Sequence, residues 1–235
     1  MRNIAIIPAR GGSKRLPNKN ILPLAEKPLI HYTLEAVVNS ALFETVILSS
    51  DDDKILDIGR EIEGVTLEKR EVTLAGDNIK VIDLVKSIAA RKGYINQFET
   101  IGLFLPTCPF RTAKHIQEAY QLLSEDDLSV VSVTEMSDPV QLTLTIDESK
   151  LANPEALLNP SPLITGETRS QDFQTFYRVN GGLYIAWLKK FIEKDNFFQG
   201  KIKAYNMDKL HSVDIDYKLD LEWAEYLLKN NHVKI

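Results

Sequence analysis

The chain has 235 residues, 44% of them hydrophobic and 26% charged, with a formal net charge of −5, so it can bury one substantial core or a domain with a smaller lobe. That charge, with no basic stretch interleaved with aromatics, argues against a nucleic-acid partner, and no apolar run approaches the ~20 residues of a membrane span. Its single cysteine, Cys108, rules out an intrachain disulfide and suits a reducing cytoplasm.

Near the N-terminus "IAIIP" is too short for a signal peptide and reads as a fully buried strand. "PLIHYTLEAVVNS" places Ile30, Leu34, Val37 and Val38 on one helical stripe, with Pro28 suited to the first turn. "TVILSS" is a second buried strand. "DDDKILDIGREI" follows as a helix whose leading acids suit its dipole, so residues 51–53 are expected at a helix start rather than in a metal site. "VTLEK" is a short strand, and "IKVIDLVKSIAARKG" a helix with Val81, Ile82, Val85, Ile88 and Ala89 at helical spacing, stopping at Gly93. Then come the strand "TIGLFLP", the helix "TAKHIQEAYQLLS" with Thr112 as its cap, and the strand "LSVVSV". Buried strands joined by crossover helices predict an α/β fold, a Rossmann-like and mostly parallel sheet with helices on both faces.

The rhythm changes after about residue 136. No long helical pattern follows until Tyr177, "QLTLTID" alternates like a half-exposed strand, and Pro154, Pro160 and Pro162 break what comes next. The expectation is a single domain over 1–235 with an inserted arm at about 137–177. The sheet returns with "GGLYIAW" and "IKAYNM", and "YKLDLEWAEYLLKN" closes the chain as a helix with Leu219, Trp223, Tyr226 and Leu227 on one stripe.

Three stretches carry chemistry. In "ARGGSKRLPNKN", Gly11 and Gly12 follow a buried strand and let backbone amides approach a phosphate, while Arg10, Lys14, Arg15 and Lys19 add charge. A nucleoside triphosphate with about four negative charges needs such cations. The spacing is neither a P-loop nor G-x-G-x-x-G. In "LFLPTCPFRT" two prolines stiffen a loop at the end of a strand, equally well a structural turn. In "SVDIDYKLDL", Asp214 and Asp216 alternate with Val213 and Ile215, so an extended segment turns both carboxylates to one side as a Mg²⁺ site would need; Asp216 as a simple helix cap is the other reading. The four histidines show no metal-ligand spacing, and His31, His115 and His232 are expected as surface or helix-edge residues.

At these residues the sequence resembles the N-acylneuraminate cytidylyltransferases, or CMP-N-acylneuraminate synthetases, which activate sialic acid and related nine-carbon 2-keto acids with CTP. The resemblance runs nearly end to end, through "IIPARGGSKRLPNKN", "REVTLAGD", "LPTCPFRT", "RSQDFQTFYRVNGGLYI" and "DIDYKLDL". It implies a fold of the nucleotide-diphospho-sugar transferase type, CTP and a nonulosonic acid as substrates, Mg²⁺ as cofactor, and a cytoplasmic homodimer. In that dimer the 137–177 arm would help to complete the partner's sugar pocket.

Position by position, the resemblance puts Arg10, Gly11, Gly12, Ser13 and Lys14 on the triphosphate, Asn20 on the cytidine part and Arg70 along the nucleotide site. It puts Leu105, Thr107, Arg169, Gln171, Asn180 and Tyr184 on the sugar side, and makes Asp214 and Asp216 the metal ligands. Arg10, Lys14 and Asp214 would then carry catalysis. Leu105 stands where the sialic acid enzymes have a glutamine, Val81 where they have a serine, Cys108 for a serine, and Ser170 for an arginine that some members carry. An apolar contact at Leu105 suits a deoxygenated, diacylated sugar such as legionaminic or pseudaminic acid. The rivals are a cytidylyltransferase for the eight-carbon acid Kdo, another nucleotidyltransferase, and a non-catalytic nucleotide-binding protein.

Overall fold

The computed structural model describes residues 2–71, 81–91 and 93–235. The chain forms two compact units, one of Met1–Val133 with Val179–Ile235 and one of Thr134–Arg178, which contains the segment expected as an arm.

In chain order the larger unit begins with β1 (Asn3–Pro8), a two-residue hairpin of β2 (Pro23–Leu24) and β3 (Lys27–Pro28), and α1 (Leu29–Asn39). It continues with β4 (Thr45–Ser50), α2 (Asp53–Arg60), β5 (Val65–Lys69), α3 (Val81–Arg91), β6 (Thr100–Leu103), α4 (Ala113–Gln121) and β7 (Ser129–Glu135). The smaller unit holds β8 (Thr145–Ile146), β9 (Ala152–Asn153) and the one-turn α5 (Pro162–Thr165). The chain returns through β10 (Tyr177–Trp187), α6 (Leu188–Lys194), β11 (Ile202–Asn206) and α7 (Lys218–Lys229).

Seven strands form one sheet in the order β11-β7-β10-β6-β1-β4-β5. β1 pairs in parallel with β4 and with β6, β4 with β5, and β11 with β7, whereas β10 runs antiparallel to β6 with Tyr184 opposite Leu103. Strand alternation sorts the core. Ala5 and Ile7 of β1 pack with α1, α2 and α4, and Ile4 and Ile6 pack on the other face with α3 and α6. The mostly parallel sheet covered on both faces is the fold the strand-helix rhythm predicts.

Caps explain where two helices start. The Asp52 carboxylate accepts the Lys54 N–H at 2.9 Å ahead of α2. Thr112 and His115 form a reciprocal box ahead of α4, in which the Thr112 hydroxyl accepts the His115 N–H and His115 Nδ1 accepts the Thr112 N–H. Pro28 is the cap residue of α1, one place before the first turn.

Three sequence expectations change. Val81 is 40% exposed, and Leu84 faces the core beside Val85, Ile88 and Ala89. "QLTLTID" becomes a 3₁₀ turn at Val140–Leu142 followed by only two residues of β8, whose partner β9 is equally short. On α7 the buried face is Ala224 and Leu227 with Leu221 and Leu228 against Leu24, Leu29 and Phe110, while Leu219, Trp223 and Tyr226 face out. The small Ala224 lets the helix approach that core closely, and the ring of Trp223 stacks on Tyr226 at 5.4 Å outside it.

Candidate active site

The candidate site residues of the larger unit gather at the carboxyl edge of the parallel strands, where α/β sheets bind ligands. Loops after β1, β4 and β6 meet there. Because β10 is antiparallel to β6, its residues Asn180–Gly182, which precede the pairing of Tyr184 with Leu103, reach the same edge.

The loop after β1 starts with the Ala9 N–H on the Ser49 carbonyl at 2.9 Å. The Gly11 N–H donates to Asp51 Oδ1 at 3.0 Å, and a Cβ at Gly11 would lie 2.7 Å from Asp52 Oδ2, so only glycine fits this approach. Gly12 and Lys14 are exposed and Ser13 half-buried. Asn20, expected at the cytidine, is buried and donates its amide to the Arg10 carbonyl at 2.9 Å, closing the loop on itself. Arg70 is buried behind the loop, its Nη2 on the Ser49 carbonyl. Burial pushes the Arg70 pKa down, Asp51 opposes that, and the Arg10 charge adds to it, so these three groups share one electrostatic neighbourhood. Asp52 and Asp53 behave as helix-start acids, with Asp53 on Lys69, but Asp51 turns to the loop, which sequence reasoning missed. Of "REVTLAGD", residues 72–77 lie outside the described residues, as do residues 79 and 80 of the expected third helix.

The other half of the site is tied together by Ile215. Its side chain is buried and its N–H donates to the Thr107 carbonyl at 2.8 Å, which joins "LPTCP" to "DID". Asp214 and Asp216 flank this buried residue and so project away from it. The Cys108 thiol donates to the Asn180 carbonyl at 3.0 Å and lies 3.9 Å from Asp214 Oδ1. Burial pushes the Tyr184 hydroxyl up to about 12, with Cys108 and Asp214 adding to the shift, so Tyr184 stays a neutral hydroxyl in this group. The Asn180 side chain, expected to face sugar, is engaged internally. Its Oδ1 accepts from Ser132 Oγ and the Gly182 N–H, and its Nδ2 donates to Ser212 Oγ. Beside it Gly181 has φ 76°, and a Cβ there would lie 3.4 Å from Cys108 Sγ and 3.5 Å from Leu105 Cδ1.

Asp216 links the two halves. Its Oδ1 takes Lys19 Nζ and its Oδ2 takes Arg15 Nη2, both at 2.8 Å. Beneath lies Arg111, 1% exposed, which donates to the Gly182 carbonyl and, at 2.7 Å, to the Thr33 hydroxyl. Burial pulls its pKa down to about 10. Arg15 and Lys19 were visible in the sequence as loop cations; nothing in it marked Arg111 as buried.

Arg169 and Gln171 belong to the smaller unit and are exposed there. Arg169 precedes a 3₁₀ turn at Ser170–Asp172, and Gln171 lines a cavity of about 300 Å³ with Glu135, Asp138 and Phe173. Away from the site, the fold brings His115, Asp208 and His211 together, their ligand atoms within 4.8 Å, a grouping that the spacing of histidines did not reveal. Some of their atoms are already engaged, His115 Nδ1 in the α4 cap and His211 Nδ1 facing Asp208 Oδ2 at 2.6 Å.

A cationic glycine loop joined to Asp216 at the carboxyl edge of a mostly parallel sheet is an arrangement suited to an α/β protein that holds a phosphate-type anion. The chain belongs to the cytidylyltransferase family, whose profile matches residues 4–234. It is 30% identical over 234 residues to a pseudaminic acid cytidylyltransferase of Campylobacter jejuni, covering 99% of this chain and 98% of that one. It is 34% identical over 239 residues to an N-acylneuraminate cytidylyltransferase of Escherichia coli, covering 99% of this chain and 54% of the longer relative. Among solved structures, a CMP:2-keto-3-deoxy-manno-octonic acid synthetase complexed with CTP superimposes with a TM-score of 0.70 over 98% of this chain and all of that one, at 14% identity. Among the described residues, no helix is long and apolar enough to cross a membrane.

Proposed function

We propose that this cytidylyltransferase activates a nonulosonic acid with CTP. The anomeric hydroxyl oxygen of the sugar bonds to the α-phosphorus, the bond to the α,β-bridging oxygen breaks, and pyrophosphate leaves with the electron pair. The hydroxyl proton passes to a base or to solvent, and no protein nucleophile is required. Catalysis is positioning plus charge neutralisation. Arg10 and Lys14 hold the triphosphate and stabilise the departing pyrophosphate, Gly11, Gly12 and Ser13 present the loop to it, and Asn20 and Arg70 shape the nucleotide side. The observation that carries this reading is the meeting of the cationic loop with the aspartate pair through Asp216.

The exposed Asp214 and half-buried Asp216 on either side of buried Ile215 are hard oxygen donors beside a cationic loop, a donor set that fits Mg²⁺. Asp214 and Asp216 would hold it, and when bound it supplies charge neutralisation at phosphate oxygens. On the sugar side, the half-buried Leu105 and the missing side chain of Gly181 beside it leave a small apolar surface, while Cys108 is fully buried. That surface supports a deoxygenated, diacylated acid of the pseudaminic or legionaminic kind over N-acetylneuraminate. Arg169 and Gln171 of the arm would offer polar groups to the sugar pocket of a partner subunit, and a homodimer is supported by the exposed Ile146, Leu151, Leu157 and Ile164 of that unit. A reaction that consumes CTP belongs in the cytoplasm. The Kdo reading keeps a likeness of fold alone.

The test is incubation with CTP and Mg²⁺ against a panel of pseudaminic, legionaminic, N-acetylneuraminic and Kdo acids, with product masses read out. A CMP adduct of a diacylated nonulosonic acid is expected. Turnover of Kdo alone, or with another nucleotide in preference to CTP, would overturn the proposal.

A further inference from the structure

The geometry points to Arg15 and Lys19 as positioning residues that occupy Asp216 until a triphosphate draws them off, so that nucleotide and divalent ion bind cooperatively. This rests on the reading of Asp216 as a metal ligand. Each carboxylate oxygen of Asp216 is taken by one cation of the loop at 2.8 Å. The Lys19 side chain is only 11% exposed and that of Asp216 28%, so water screens the Lys19 pair poorly. Arg15 is further held by Tyr217, whose ring lies 5.3 Å beneath its guanidinium. The Asp216 backbone is tethered, its N–H bound to Asp220 Oδ2 at 2.9 Å. The movable partners are the two long cationic side chains.

The same loop shows the pattern a second time, with the Gly11 N–H held by the Asp51 carboxylate. Protein carboxylates thus stand where phosphate oxygens would be received. A triphosphate with about four negative charges outcompetes a single carboxylate for two cations. Once they shift to it, Asp216 is left with an uncompensated charge and gains affinity for a divalent ion. Linkage makes the effect reciprocal, since neutralising Asp216 must free the cations for nucleotide.

Two binding measurements, neither of which needs turnover, test this. Mn²⁺ binding to the nucleotide-free protein, read by electron paramagnetic resonance, should be weak in the wild type. It should tighten about fivefold in Arg15→Gln and again in Lys19→Met, the size of one partly exposed ion pair. The gain should vanish in an Asp216→Asn background, whereas a general field effect would persist there. Calorimetric binding of CTP in the presence of chelator should be roughly tenfold tighter for Asp216→Asn than for wild type. That gain too should be absent when Arg15→Gln and Lys19→Met are already in place. Unchanged Mn²⁺ affinity in the loop variants, or unchanged metal-free CTP affinity in Asp216→Asn, overturns the inference. Mn²⁺ binding indifferent to Asp216→Asn instead overturns the metal-ligand reading, and the CTP titration then decides on the ion pairs alone. Arg15 is half exposed, so Arg15→Gln leaves the fold intact and keeps the test open if a second substitution destabilises the protein.

Discussion

Arg111 is a buried cation with no carboxylate within ion-pair distance among the described residues. Its guanidinium instead bridges Gly182 on β10, Thr33 on α1 and, at 3.4 Å, the Leu105 carbonyl after β6. A fork of donors serves three elements at once, which lysine cannot do. Arg111→Met relieves the cost of a buried charge but strands three acceptors, so we expect a net loss of about 2 kcal/mol in urea unfolding at unchanged m-value. Arg111→Lys should recover less than half of it. The exposed Lys14 presents the opposite case. Lys14→Ala should lower kcat about 10²- to 10³-fold while the urea midpoint stays in place; near-normal turnover by the folded variant would refute its role. Lys14 could be read from the sequence because cations after a Gly-Gly pair are a local pattern. Arg111 could not, because its burial depends on three elements distant in the chain.

At the scale of elements, α4 carries an unusual cap. Glutamate or glutamine commonly fills the third helical position of a capping box, and here His115 accepts the bond through Nδ1, which requires the neutral ring. Burial lowers the His115 pKa below its ordinary 6.5, helped by His211 and Arg111 and opposed by Asp208 and Glu118. The folded state therefore binds this proton less readily than the unfolded chain. The stabilisation is complete above pH 6.5 and is lost as pH falls below it through the folded value. His115→Gln keeps a capping box without the titration. Urea midpoints followed from pH 7.5 to 5 should fall more steeply for wild type than for His115→Gln, and equal slopes would disprove the link. Thr112 as the cap was legible as a local signal. The buried face of α7 was not, because two apolar stripes share that helix and only the partner core at Leu24, Leu29 and Phe110 selects Ala224 and Leu227.

At the scale of the whole molecule, the two units differ in how they use apolar residues. The sheet unit buries Ile4, Ile6 and Ile7 completely or nearly so, while the Thr134–Arg178 unit leaves Ile146 64% and Leu151 70% exposed on its two-residue hairpin. Exposed apolar surface of this kind calls for a partner. We expect wild type to sediment as a dimer, and Ile146→Lys with Leu151→Lys to sediment as a monomer with the sheet unit's melting unchanged. A variant that remains dimeric would remove this surface from the interface.

Sequence alone determined the alternation of strands and helices, the cationic glycine loop, the Asp214–Asp216 alternation and the membership of the chain in a nucleotide-transferring family. The first three are local patterns, where spacing fixes which side chains share a face, and the family follows from the order of several such patterns along the chain. Tertiary structure alone decided that β10 runs antiparallel and delivers Asn180 and Gly181 to the site, and that Asn180 is turned inward. It also decided that Asp216 meets Lys19, nearly two hundred residues away. Those outcomes depend on contacts between remote segments, whose geometry is set by packing and by the competition among charges for partners.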